Sequence, residues 1–266
     1  MSAYIPGFKA ANGSADKDIN GKSNKNLNLK PDKALNLKLD SEKTGSRPQS
    51  IDPFRFQMVK YRLAGIYGNE DESEKMFTSI LKKELNNSAA HYGMALLMER
   101  KSRLKEAMEH LRKALENRAF DPNILLAMGK INILAGDPQK ALEIMQGLET
   151  ISEVETEFEF YHSQAMLMTG MSQDAEKGFE KVIDTAPELF PKAYYHLAEI
   201  KGENGESALS HYYLGLYFYE IKNMKSAKFH LMKSLETLSE TEKKKRAESV
   251  LIKSEKRERN LKRNRR

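Results

Sequence analysis

Six histidines, His91, His110, His162, His196, His211 and His230, are the first candidates for chemistry in this 266-residue chain. No two of them lie four apart. A zinc peptidase of the HExxH type needs two imidazoles on one helix face and a glutamate between them to activate water. That arrangement is missing from the sequence. There is no cysteine either, which removes disulfides, thiolate nucleophiles and thiolate metal sites. His196, His211 and His230 share one C-terminal region with Glu199 and Glu220, and imidazole with carboxylate suits zinc. Their spacing matches no ligand motif, so the plainer reading is packing or surface histidine. The sequence predicts no cofactor, no metal and no catalytic constellation.

Charge is the next source of chemistry. The net charge of +6 is unevenly spread. Residues 1–50 carry nine Lys/Arg against five Asp/Glu, and residues 241–266 carry twelve against four. The middle carries twenty-three against twenty-nine, so the body is mildly acidic. The tail KSEKRERNLKRNRR could neutralise phosphates, but it has no aromatic side chain for base stacking. A solubilising helix end is the expected role, and nucleic acid is not the expected partner. Glu153, Glu155, Glu157 and Glu159 alternate with Val154, Thr156 and Phe158. This run opens a helix, where carboxylates favour the dipole, and it could also receive a basic partner or the chain's own tail.

Small residues twelve apart indicate what must position these groups. Ala95 and Ala107, Gly129 and Ala141, and Ser163 and Ala175 follow one another at intervals of 34 residues. Gly215 and Ala227 repeat the spacing after a longer interval. A fixed period of this length marks a helical repeat array. Asp52 and Pro53 open the first helix as cap and first residue, which Gly68 ends, and 72–85 is expected as the second. Tyr61 and Ser73 sit one period before Ala95 and Ala107, so the first repeat is degenerate and must pack differently around the larger ring. Gly68, Gly136 and Gly170 share one repeat position with Ser102, where a left-handed backbone closes a helix. Between Ala175 and Ala227 lie eighteen residues more than one period. They include a short helix over 191–201.

Residues 1–50 are rich in Asn, Lys, Ser, Asp and Gly and cannot bury enough apolar surface to order themselves. The motif LNLK occurs twice there, at 27–30 and 35–38. It offers a short hairpin or a docking strand as the alternative to disorder. The expected organisation is a disordered arm over 1–50, a repeat array over 51–238, and a charged helix with a basic tail over 239–266. No apolar h-region opens the chain, and no run approaches the roughly 18 apolar residues that span a bilayer.

The repeats resemble the tetratricopeptide repeat over about 54–238. That pattern wants a small residue at position 8, Ala at 20, an aromatic or Leu at 24 and Pro at 32. Position 24 is held by Leu111, Met145, Phe179 and Leu231, and Pro187 fills position 32 of the fourth repeat. The resemblance implies an all-α solenoid of about five helix-turn-helix repeats, the first degenerate, with one irregular insertion before the last. It also implies a concave face lined by first helices, with Arg62, Tyr92, Leu96, Glu99, Leu126, Lys130, Ile133, Phe160, Gln164, Leu167, Tyr212, Leu216 and Tyr219 facing inward. Such a face would hold a protein or peptide segment with aromatic anchors; the same residues could instead pack between repeats.

A narrower stretch, GMALLMERKSRLKEAMEHLRKAL with SHYYLGLYFYEIKNMKSAKFHLMKSL, resembles the C-terminal repeat half of BepA-like periplasmic metalloproteases. That implies a role in envelope assembly or, as the alternative, a detached repeat half acting with a separately encoded peptidase domain. The family's catalytic residues have no counterpart here. The expected compartment is the cytoplasm, or the periplasm if the chain is part of such a protease.

Overall fold

Four turns between paired helices are built the same way, and this sets the frame of the array. In a computed structural model, residues 52–148 and 155–263 are described, with side chains to 256. Ser102, Gly136, Gly170 and Lys222 all have φ between 59° and 85°. The next residue in each case bonds back to a carbonyl five residues earlier: Arg103 to Met98, Asp137 to Asn132, Met171 to Met166 and Asn223 to Phe218, at 2.8–2.9 Å. This is the Schellman closure of a helix. The same residue then starts the second helix. Asp137 and Asn223 also cap it with their side chains, whereas Arg103 and Met171 do not.

Twelve helices result, and no strand occurs among the described residues: α1 (Pro53–Tyr67), α2 (Glu70–Lys83), α3 (Ser88–Arg100), α4 (Leu104–Glu116), α5 (Pro122–Leu134), α6 (Pro138–Met145), α7 (Glu155–Met168), α8 (Ser172–Thr185), α9 (Lys192–Glu203), α10 (Ser207–Glu220), α11 (Met224–Leu235) and α12 (Thr241–Arg263). This is an all-α solenoid of helical repeats. The period positions do the packing. Ala95, Ala107, Ala141, Ala175 and Ala227 are wholly buried, as are Leu111, Met145, Phe179 and Leu231. A Cβ on Gly129 would lie 2.6 Å from Met145, and one on Gly215 2.6 Å from Leu231. The small residue on the first helix therefore makes room for the large one on the second.

The first repeat departs from this plan. Gly68 is extended (φ −68°, ψ 163°), not left-handed, and α2 begins at Glu70, two residues ahead of the expected 72, behind an Asn69 cap. Arg100 of α3 replaces the closure by donating Nη1 to the carbonyl of Ile66 (2.7 Å) and Nη2 to that of Gly68 (2.8 Å). Glycine is still favoured at 68, because a Cβ there would lie 2.5 Å from the backbone carbonyl oxygen of Ala64 and 2.4 Å from Ser73 Oγ. Tyr61, at the usual small position, is buried edge-on to Phe77 with centroids 5.7 Å apart. The space comes from Gly93 of α3, where a Cβ would meet the Phe77 ring at 2.6 Å and Tyr61 Cβ at 2.9 Å. Helix α1 packs mainly on α3.

The eighteen extra residues supply α9. Gly205 (φ 78°) and the Glu206 bond to the Lys201 carbonyl close it with the same motif. Helix α10 packs against α9, α11 and α12, so it serves two hairpins. The first turns of α12 are packed into the array through buried Ala247, Val250 and Ser254, and Arg246 donates Nη2 to the Tyr194 hydroxyl. The LNLK pair, the expected arm over 1–50 and Glu153 lie outside the described residues.

Candidate functional site

First helices α1, α3, α5 and α7 bring the charged members of the expected face together. Arg62 of α1 donates Nη2 to Glu157 of α7 at 2.6 Å, across 95 residues of sequence. Lys130 of α5 pairs with Glu99 of α3 at 2.7 Å and stands 5.4 Å from the ring centroid of Tyr161 on α7. Burial works against the charge on Lys130, but Tyr161 and Glu99 outweigh it and raise its pKa. Arg62 is affected alike, with Tyr92 and Glu157 offsetting burial. Burial raises the pKa of the Tyr92 hydroxyl, opposed by Arg62, and that of Tyr161, opposed by Lys130. Both rings stay neutral at any physiological pH and act as hydrogen-bonding, polarisable surfaces.

The apolar members behave differently. Tyr92, Leu96, Leu126, Ile133, Phe160, Tyr212 and Leu216 are buried between helices. A helix of the array has neighbours on nearly every side, so these positions are consumed by inter-repeat contacts before any ligand arrives. Their side chains lie between helices, largely closed to solvent, and Tyr92 also borders the open cleft described next. Gln164, Leu167 and Tyr219 are half-buried. Where Arg62, Tyr92, Leu96, Leu126, Lys130 and Glu157 converge, the remaining cavity is about 30 Å³, room for a water molecule or two.

An open cleft of about 570 Å³ adjoins this closed patch. It lies between the start of α1 and the α4–α5 connection, and Arg62 and Tyr92 form its inner wall. Phe54, Val59, Arg118 and Phe120 line the rest. Arg118 stacks on the Phe54 ring at 3.8 Å, and Phe120 is 88% exposed. Asp52 and Asp121, the caps of α1 and α5, sit at its rim. Repeat positions could not point to Arg118 or Phe120, which belong to a loop. An apolar ring directly before an Asp-Pro helix start was the available signal.

The three C-terminal histidines are not brought together. His196 of α9 bonds Glu199 at 2.9 Å and stacks on Phe179, while His211 and His230 pair with each other at 2.9 Å. Among the described residues no three His, Asp or Glu side chains cluster as metal ligands would. Of the acidic run, Glu157 is held by Arg62 and Glu159 faces Lys181 at 3.3 Å. No helix among the described residues is long and apolar enough to cross a membrane.

No family model matches the chain, and no curated protein matches it. Solved structures do. PilW, described as a widely conserved type IV pilus biogenesis factor, aligns over 74% of this chain and 91% of its own at 16% identity, with a TM-score of 0.56. Pseudomonas aeruginosa pilF covers 74% and 99% at 13% identity and 0.52. YrrB, described as a tetratricopeptide-repeat protein with an unusual peptide-binding site, covers 66% and 90% at 19% identity and 0.50. At these identities the likeness is one of architecture, and with the turn and packing geometry above it establishes that this chain has the tetratricopeptide-repeat fold.

Proposed function

We propose that this protein is a non-catalytic scaffold that holds a short segment of another protein in the cleft between α1 and the α4–α5 loop. The open cleft beside the Arg62–Tyr92 wall carries this reading, because it joins an exposed ring to guanidinium groups. Aromatic and Arg side chains dominate binding energy at interfaces because they give large contact at low entropy cost. Phe120 supplies an apolar contact and Arg118 a guanidinium beside it, while Asp52 and Asp121 already satisfy the N-terminal ends of α1 and α5. A segment with one large apolar side chain beside an acidic one fits this chemistry. The peptide-binding site described for YrrB, on the same fold, supports a peptide ligand. Arg62, Glu99, Lys130, Gln164, Leu167 and Tyr219 are the members of the inner face still accessible to a longer ligand.

Selection from a displayed random-peptide library tests this reading. Peptides captured by the wild type are expected to lose at least tenfold in affinity on Arg118→Ser with Phe120→Ser. Both side chains are exposed, so the variant should keep its helical content. Equal affinity in that variant would place the site elsewhere. A role in envelope assembly, or alongside a separate peptidase domain, follows only from the narrower resemblance to BepA-like repeat halves. Without HExxH, no peptidase activity is proposed; chelator-sensitive casein cleavage by pure protein would contradict this.

A further inference from the structure

The same two-histidine device is built into two repeats. His91 Nδ1 lies 2.8 Å from His110 Nδ1, and His211 Nδ1 lies 2.9 Å from His230 Nδ1. Ring centroids are 5.1 and 5.2 Å apart and the rings are tilted by 39° and 37°. Each pair joins the first helix of its repeat to the second, α3 to α4 and α10 to α11. The register is identical: four residues before the small residue of the first helix and three after the Ala of the second. In the third repeat those positions hold Leu125 and Ile144, which do not titrate.

Two Nδ1 atoms at this distance need one proton between them. In the first pair the assignment follows from the outer nitrogen. His91 Nε2 is 2.9 Å from the Leu85 carbonyl, so it must donate there. A neutral His91 then has a bare Nδ1, and His110 supplies the N–H. A pair carrying a proton on all four nitrogens would set two N–H groups and two positive charges face to face. Little nearby offsets that charge. The charged groups acting on the first pair, Arg103, Glu106, Lys113 and Glu116, all lie on α4 or at its cap, and Glu106 is held by Arg103. Those acting on the second are Lys233 and Glu236, which pair with each other at 2.6 Å.

We propose that the two pairs form an acid-release device: full protonation breaks each shared hydrogen bond and drives α3 from α4 and α10 from α11, while α5 and α6 stay closed. The electrostatics agree. Burial, then the partner ring, holds His110 and His230 down to about 4, and burial lowers His91 and His211. Free histidine titrates near 6.5, so the opened state binds more protons below that pH. The stability from each pair is present above about 6.5 and is lost as the pH falls toward 4.

The test is the thermal midpoint of the whole chain between pH 7.5 and 4.5, beside a His110→Asn, His230→Asn variant. Asparagine keeps a hydrogen-bonding group near the Nδ1 position but does not titrate. The wild-type midpoint is expected to fall more steeply than that of the variant, with the gap closing or reversing by pH 5. Parallel curves would overturn the proposal. If the variant does not fold, amide exchange on the wild type decides. Protection lost in α3–α4 and α10–α11 at pH 5, ahead of α5–α6, supports the device; uniform loss refutes it. Ring ¹⁵N shifts titrating between 6 and 7 with all helices intact would also refute it.

Discussion

The two halves of the array close their interiors with different chemistry on the same repeat frame. From α1 to α7 the inner side is tied by Arg62–Glu157 and Glu99–Lys130–Tyr161. From α7 to α12 it is tied by rings. Phe160 stacks on Phe190 at 5.2 Å and meets Phe179 edge-on at 6.0 Å, Phe179 stacks on His196 at 4.9 Å, and Tyr195 meets Tyr217 edge-on at 5.5 Å. Arg246 binds Tyr194, whose hydroxyl burial pushes up to about 12. Ring contacts are short-ranged and indifferent to salt, whereas partly exposed ion pairs are weakened by it. The difference teaches that the repeat specifies spacing alone, so each half is free to choose a rigid or an adjustable interior.

The sharpest way to break the comparison is Phe179→Ala, at the centre of the aromatic half. Removing a wholly buried Phe is expected to cost about 3–5 kcal/mol in denaturant unfolding. A smaller loss than for any ion-pair variant would invert the contrast. Ala141→Leu, at a wholly buried position of α6, probes the shared frame and should cost about 1–3 kcal/mol through overpacking. An unchanged melting temperature would count against the packing role of that position. In the ionic half, Lys130→Met leaves Glu99 without its partner at a site only 15% exposed. The expected loss is about 1–3 kcal/mol, and adding Glu99→Gln should recover part of it. The smallest effect belongs to Arg62→Ala. Its pair with Glu157 is 38% and 29% exposed, so about 1 kcal/mol or less is expected. Exchange should quicken in α1 and leave α10 and α11 unchanged.

Much of the frame was legible in the chain because it depends on near neighbours. Small residues twelve apart, a large one four further on, and Asp-Pro or Gly at helix ends act within one hairpin, and they placed α1 at Pro53 and α2 within two residues of its observed ends. Even there Gly68 misled, since its turn is closed by Arg100 from the next repeat. The twin histidine pairs were also written in the sequence, as one 19-residue spacing used twice. It matches no metal motif, because the partner of each ring is another ring.

Tertiary structure alone decided what the inner face became. Tyr92, Phe160 and Tyr212 occupy groove positions of the repeat pattern yet are buried. Arg62 finds Glu157 three repeats away. The cleft takes its outer wall from the α4–α5 loop. The physical reason is that a solenoid's curvature sums small rotations at each interface. Whether an inward side chain meets solvent, an ion or another helix depends on that sum, and no single repeat carries it.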